Sequence, residues 1–352
     1  MTRLGWLVLK FRLSSLPPNA QTATGAAIRF CLLAMIASFA CFASAVNANG
    51  PSTESDSGRS REIWASAPPV HHARAAHAVV ATSDAIYALA GTGDKNSGPV
   101  LPVERFDGAT WSDETELPGK GLNAPAAVVL DGKIYVIGGF GTVTNKPTSE
   151  VLVFTLKTKQ WGRAADLPAP RGGHAAVVMN NMIHVVGGGN SRSTIADHSV
   201  FDPATNRWSQ RSPLPRAEGS PAAVVFDGKL YAIGGRSGPK DFGDVFVYDP
   251  STDSWSAGPS IEPRGTSGAV VFQESIYLIG GESQAKSKVL ADDLRLPAPT
   301  LAWQPAPPMP TARSFARAVC FHGAIYVVGG SPRPQTSHAP RGLAVVERLD
   351  RP

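Results

Sequence analysis

A fourteen-residue stretch, AAVVFDGKLYAIGG at 222–235, recurs along the chain at intervals of about 47 residues. Near-copies stand at 126–139 (AAVVLDGKIYVIGG), 175–188 (AAVVMNNMIHVVGG), 269–281 (AVVFQESIYLIGG) and 318–330 (AVCFHGAIYVVGG). A repeat of this length commits the chain to an array of similar units, because one such unit cannot bury its apolar faces alone.

Each copy has the same internal order. A run of small residues is followed by a two-residue turn, then by an apolar run that ends in a glycine pair. Asp131-Gly132 and Asp227-Gly228 are strong hairpin signals, since a type I′ turn needs positive φ at both central residues. Asn180-Asn181 and His322-Gly323 serve as substitutes. Further on, DPATNRW at 202–208 and DPSTDSW at 249–255 read as a second turn between two more strands. Four strands per repeat follow. Glycine pairs fall at 138–139, 187–188, 234–235, 280–281 and 329–330, with Ala90-Gly91 as a degenerate sixth. Tryptophans fall at 64, 111, 161, 208, 255 and 303, leaving only Trp6 outside the pattern. Six four-stranded units bury their faces by stacking radially. The content of 35 Gly and 30 Pro suits many short strands joined by turns.

These residues resemble the kelch family: an apolar strand ending in Gly-Gly, a Tyr or Phe followed by Asp, and a Trp six residues beyond that Asp. The resemblance spans 62–350 and implies an all-β, six-bladed kelch-type β-propeller with four antiparallel strands per blade. Thr155 and Pro297 stand where the family has Asp. Because Trp64 precedes the first complete repeat and no Trp follows the last, an N-terminal strand at 62–67 is expected to close the final blade.

The first 48 residues read differently. Arg3, Lys10, Arg12 and Arg29 precede the apolar run FCLLAMIASFACFASAV at 30–46, and small residues follow. That is the order of a secretory signal peptide, with an uncleaved anchor as the alternative. Residues 49–61 are then a linker, and the propeller is exported to the periplasm or beyond. Removing these four basic residues from 33 leaves 29 against 28 acidic ones, a formal +1. Such a balance gives no support to nucleic-acid binding, and no membrane contact is expected of the propeller once the leader is gone. Cys31 and Cys41 leave with the leader, so the lone Cys320 makes no internal disulfide. Its apolar surroundings suggest a packed small side chain. A monomer is expected.

Function must lie in what varies between copies. Arginine recurs in the loops that lead into the innermost strands, at Arg74, Arg171, Arg216, Arg264 and Arg313. Arg192, Arg236 and Arg333 stand in the loops after the glycine pairs. The kelch resemblance implies that both sets of loops gather around one mouth of the central channel. Guanidinium groups there would hold a carboxylate or phosphate through paired hydrogen bonds. The bland alternative is that a recurrent Arg ties down loop carbonyls. His174, Glu218 and Glu282 are the further candidates, with His71, His72 and His77 nearby. No catalytic residue is assignable, no cofactor is called for, and no metal motif of HExxH or CxxC type is present. His71-His72 is a poor chelating pair, since neighbours in extended chain point to opposite sides. The reading is therefore a binding module for a small anionic ligand, an acidic sugar, or an acidic protein segment. The alternative is a sugar isomerase, since the chain is similar in export, size and blade count to the N-acetylneuraminate epimerase-like kelch proteins. Copper radical chemistry of the galactose oxidase type is set aside, because Cys320 is badly placed for the cross-link it needs.

Overall fold

Each repeated stretch folds as the tight hairpin its sequence predicts. Asp131 and Gly132 have φ of 51° and 68°, Asp227 and Gly228 of 50° and 70°, and Asn180 and Asn181 of 53° and 59°. These are type I′ turns, whose twist matches that of the strands they join. Gln273 and Glu274 adopt the same geometry with no glycine at all. In this computed structural model, which describes residues 62–94, 98–298, 302–334 and 341–350, two further strands extend each hairpin outward. Blade four, for example, orders Ala222–Phe226, Lys229–Ile233, Val245–Asp249 and Ser254–Ala257 as antiparallel neighbours.

Six such sheets form, and the described residues contain no helix. Each innermost strand lies against those of the blades before and after, and Arg317–Phe321 of blade six lies against Ala78–Ala81 of blade one. The ring therefore closes around a central channel. Blade six is completed by the N-terminal strand Ile63–Ala67, paired with Val346–Asp350 so that Ser66 faces Glu347. The sequence positions proposed as signal peptide and linker, 1–48 and 49–61, lie outside the described residues.

Apolar side chains collect in the seams between blades. Tyr135, Ile137 and Val151 of blade two meet Ile183, Val185 and Phe201 of blade three, and each of the other five seams has an equivalent cluster. The tryptophans staple the rims. Trp111, Trp208, Trp255 and Trp303 each donate from Nε1 to a backbone carbonyl of the preceding blade, at Pro68, Ala165, Ser212 and Pro259, all at 2.8 Å. Trp64 does the same to Pro307 of blade five, although 243 residues separate them. A buried indole N–H needs such an acceptor.

The glycine pairs serve the seams nearer the axis. Gly139 donates its N–H to the Arg171 carbonyl of the next blade at 2.8 Å, and five equivalent bonds complete the ring. Gly138, at φ 55°, cannot carry a side chain, because a Cβ there would lie 2.6 Å from that same carbonyl oxygen. Cys320 departs from its expected packed state. It is exposed, at the end of the channel away from the glycine-pair loops, because the innermost strand turns one edge toward the axis.

Candidate functional site

The seam bond fixes a common register for the lead-in loops. Its acceptor residues are Arg74, Leu122, Arg171, Glu218, Arg264 and Arg313, each sixteen positions before the first residue of its own blade's pair. Arg216 is thus two residues out of register with the other recurrent arginines, and Glu218 takes the equivalent place. The four in-register arginines are buried and turned into their own blades. Arg74 pairs with Glu104 and donates to the carbonyls of His72, Ala90 and Pro102. Arg313 pairs with Glu347 and donates to Thr311, Gly329 and Val345. Arg171 bonds Asp197 at 3.0 Å, and Arg264 bonds Asp292 at 2.6 Å. Burial pulls the ionisation of Arg74 and Arg313 down, and their carboxylate partners oppose it. These four are buried and tied to carboxylates of their own blades, away from the mouth that the sequence pattern suggests for them, although Nε and Nη1 of Arg171 have no hydrogen-bond partner. Arg216 is also occupied: it bonds Asp244 and Glu218 and lies over the Phe242 ring.

Two residues beyond each register position the backbone turns left-handed. Ala76, Ala124, Gly173, Ser220, Thr266 and Phe315 have φ of 46°, 47°, 62°, 53°, 58° and 51°. Five of the six carry a Cβ, which makes this conformation costly, most of all for a bulky Phe. The surrounding bonds enforce it. Ala124 N–H donates to Ala76 C=O, Gly173 to Ala124, Ser220 to Gly173 and Thr266 to Ser220, at 2.7, 2.8, 2.6 and 3.2 Å. The result is a belt around the axis. Phe315 completes the circle with its side chain, in one buried cluster with Ala76, Ala124 and Phe140.

Above the belt lies a cavity of about 440 Å³ at the channel mouth. Its floor is Ala76, Ala124, Phe140 and Phe315, and its walls come from the loops of blades three and four, including Arg192, Ser193, Thr194 and Arg236. Arg192 is exposed, and its guanidinium forms no ion pair among the described residues. Arg236 is held, with Nη1 2.5 Å from Glu282 and its guanidinium 6.0 Å from the Phe315 ring. Arg333 is exposed away from this wall, with its carbonyl accepting from Ser314.

The acid–base candidates do not converge on this cavity. No carboxylate or imidazole is among its described lining residues. Glu282 is buried as the partner of Arg236. Glu218 is buried under Arg216, and burial raises its carboxyl to about 7 against the opposing pull of that guanidinium. His174 is buried between blades two and three, where burial and then Arg171 lower it to about 3. Its ring faces the Ile137 carbonyl, yet neither nitrogen achieves hydrogen-bonding geometry. His77 is held neutral by burial in the same way, one residue beyond the belt. On the outer side, His71, Glu104 and Asp113 each bring one ligating atom within 4.8 Å of the others. Glu104 is already committed to Arg74 and to the backbone N–H groups of His71 and His72. A cation there would have to displace a guanidinium.

The sequence matches the KLHDC2/KLHL20/DRC7 Kelch-repeats domain over residues 59–214 and again over 124–330. The chain belongs to the Kelch-repeat family. Among Kelch relatives, Kelch-like protein 38 of Danio rerio is 33% identical over 129 residues, covering 36% of this chain and 21% of that protein. Beta-scruin of Limulus polyphemus is 34% identical over 87 residues, covering 23% of this chain and 10% of that protein. The chain thus matches well under a third of the length of either. The solved structure of YjhT superposes with a TM-score of 0.68 at 17% identity, covering 80% of this chain and 96% of that one, a likeness of fold.

Proposed function

We propose that this Kelch propeller is an exported recognition module that holds a small acidic ligand in the mouth cavity. The observation that carries the reading is Arg192, an exposed guanidinium without an ion-pair partner among the described residues, on the wall of a 440 Å³ cavity with an apolar floor. A cavity of that volume suits a single sugar or a dipeptide-sized acid. Arg192 would meet the carboxylate, the Ser193, Thr194 and Ser220 hydroxyls would meet polar groups, and Phe140 and Phe315 would support the apolar side. Support for export is the composition of residues 1–48, with four basic and no acidic side chains before an apolar run.

Calorimetry with N-acetylneuraminate and with a short Glu-rich peptide tests the reading. Binding of either is expected to weaken by tenfold or more in Arg192→Ala, since a charge-assisted bidentate contact is lost. Equal heats for the two proteins would overturn it. The isomerase alternative is read from the same sample by proton NMR, as faster exchange between sugar anomers than in buffer.

A further inference from the structure

The channel has a second feature, beneath the belt. The first strand residue two positions past each belt residue is Ala78, Ala126, Ala175, Ala222, Gly268 and, in blade six, Arg317. Five copies place nothing larger than a methyl group at this level, and the sixth places a guanidinium. All six line a chamber of about 160 Å³. None of the belt residues lines it. Four of its wall residues, Val79, Ala223, Ala269 and Ala318, also line the wide opening on the opposite face, so the chamber is entered from there.

Arg317 differs from the seam arginines in its company. Its Nε donates to the His77 carbonyl at 2.9 Å, which fixes the stem. No carboxylate pairs with it among the described residues, and its terminal amino groups have no hydrogen-bond partner there. The nearby titratable groups, His77 and His174, are both neutral, and the charge of Arg317 pushes each further from protonation. Burial lowers the guanidinium itself to about 10, so it stays charged at neutral pH. A cation in such a place, with a free fork of donors, lacks only a counter-ion.

We propose that the chamber below the belt is a binding site for one small oxyanion, a carboxylate or inorganic phosphate, held by the Arg317 fork and loaded from the face opposite the mouth. The volume leaves room for such an anion and a few waters, each occupying about 30 Å³, and excludes larger acids. The site stands apart from the mouth cavity and does not rest on its function.

Thermal unfolding of the purified protein in rising formate or phosphate, with ionic strength held by sodium chloride, tests this. Wild type is expected to gain about 3 °C when the anion exceeds its Kd about tenfold, and to go on rising with the logarithm of its concentration. Arg317→Met should lose that gain. Arg317→Lys, which keeps the charge and loses the fork, should need roughly tenfold more anion. Calorimetry should find one formate per chain that Arg317→Met loses, and citrate should give no gain that depends on Arg317. A wild-type gain in Arg317→Met, no gain in wild type, or a citrate gain that Arg317→Met removes would each overturn the proposal.

Discussion

Arg313 and Arg317 lie four residues apart on the way into one strand, and their circumstances are opposite. Arg313 turns outward into blade six, where Glu347 and three carbonyls occupy its donors. Arg317 turns toward the axis and meets one carbonyl. The first recurs at the equivalent seam position of three other blades; the second interrupts a ring of alanines and glycine. Regularity here marks the arginines paired with a carboxylate, and among the described residues the irregular copy marks the one without.

The comparison can be broken most forcefully from outside. Residues Ile63–Ala67 cover the strand that carries Glu347. Deleting 59–68 should expose that strand, loosen the Arg313 pair and remove the Trp64 staple to blade five. The expected loss exceeds that of any single substitution, and calorimetric melting would measure it; an unchanged transition would contradict the ring-closing role. Next in size is Arg313→Ala, which leaves Glu347 buried without its partner and should cost about 3–5 kcal/mol in denaturant unfolding. Replacing both, as Arg313→Met with Glu347→Leu, should recover most of it. Arg317→Ala strands no carboxylate, only the His77 carbonyl, and should cost less than about 1 kcal/mol or raise stability.

The imidazoles sharpen the point through pH. His184 and His198 are buried in blade three with ring nitrogens 2.9 Å apart. Burial holds both to about 4, with repulsion from His198 adding for His184. Since the unfolded chain takes up protons near 6.5 and the folded one only near 4, stability is full above that upper value and falls as pH drops between the two. The loss should reach roughly 3 kcal/mol for each imidazole. His184→Gln should flatten the profile in urea unfolding between pH 7 and 4. An imidazole can solve burial by giving up its proton; a guanidinium must find an anion.

Much of the architecture was legible in the chain. The glycine pairs, the Asp-Gly turns and the tryptophan spacing are local signals that repeat, and six repetitions leave little freedom for another arrangement. The site was less legible, for reasons visible in particular residues. Arg216 looked like a member of the recurrent set until the seam bonds showed Glu218 in its place, although counting back sixteen residues from each glycine pair finds the difference. Arg317 lies in a strand and outside the variable loops, yet RAVCF against AAVVF shows a charge where small residues are the rule. Whether a guanidinium is occupied depends on side-chain direction and on partners such as Glu104 or Asp292, which lie about thirty residues away in sequence and carry no pattern of their own. Cys320 shows the same limit: an apolar stretch says nothing about which edge of a strand faces the axis.

Phe315 has a wider effect than its place in one loop suggests. By stoppering the hub, it turns what would be a through-hole into two blind wells that open in opposite directions and share no wall residue. Under the two proposals, different guests occupy the molecule together, and selection can reshape either seat while leaving the other intact.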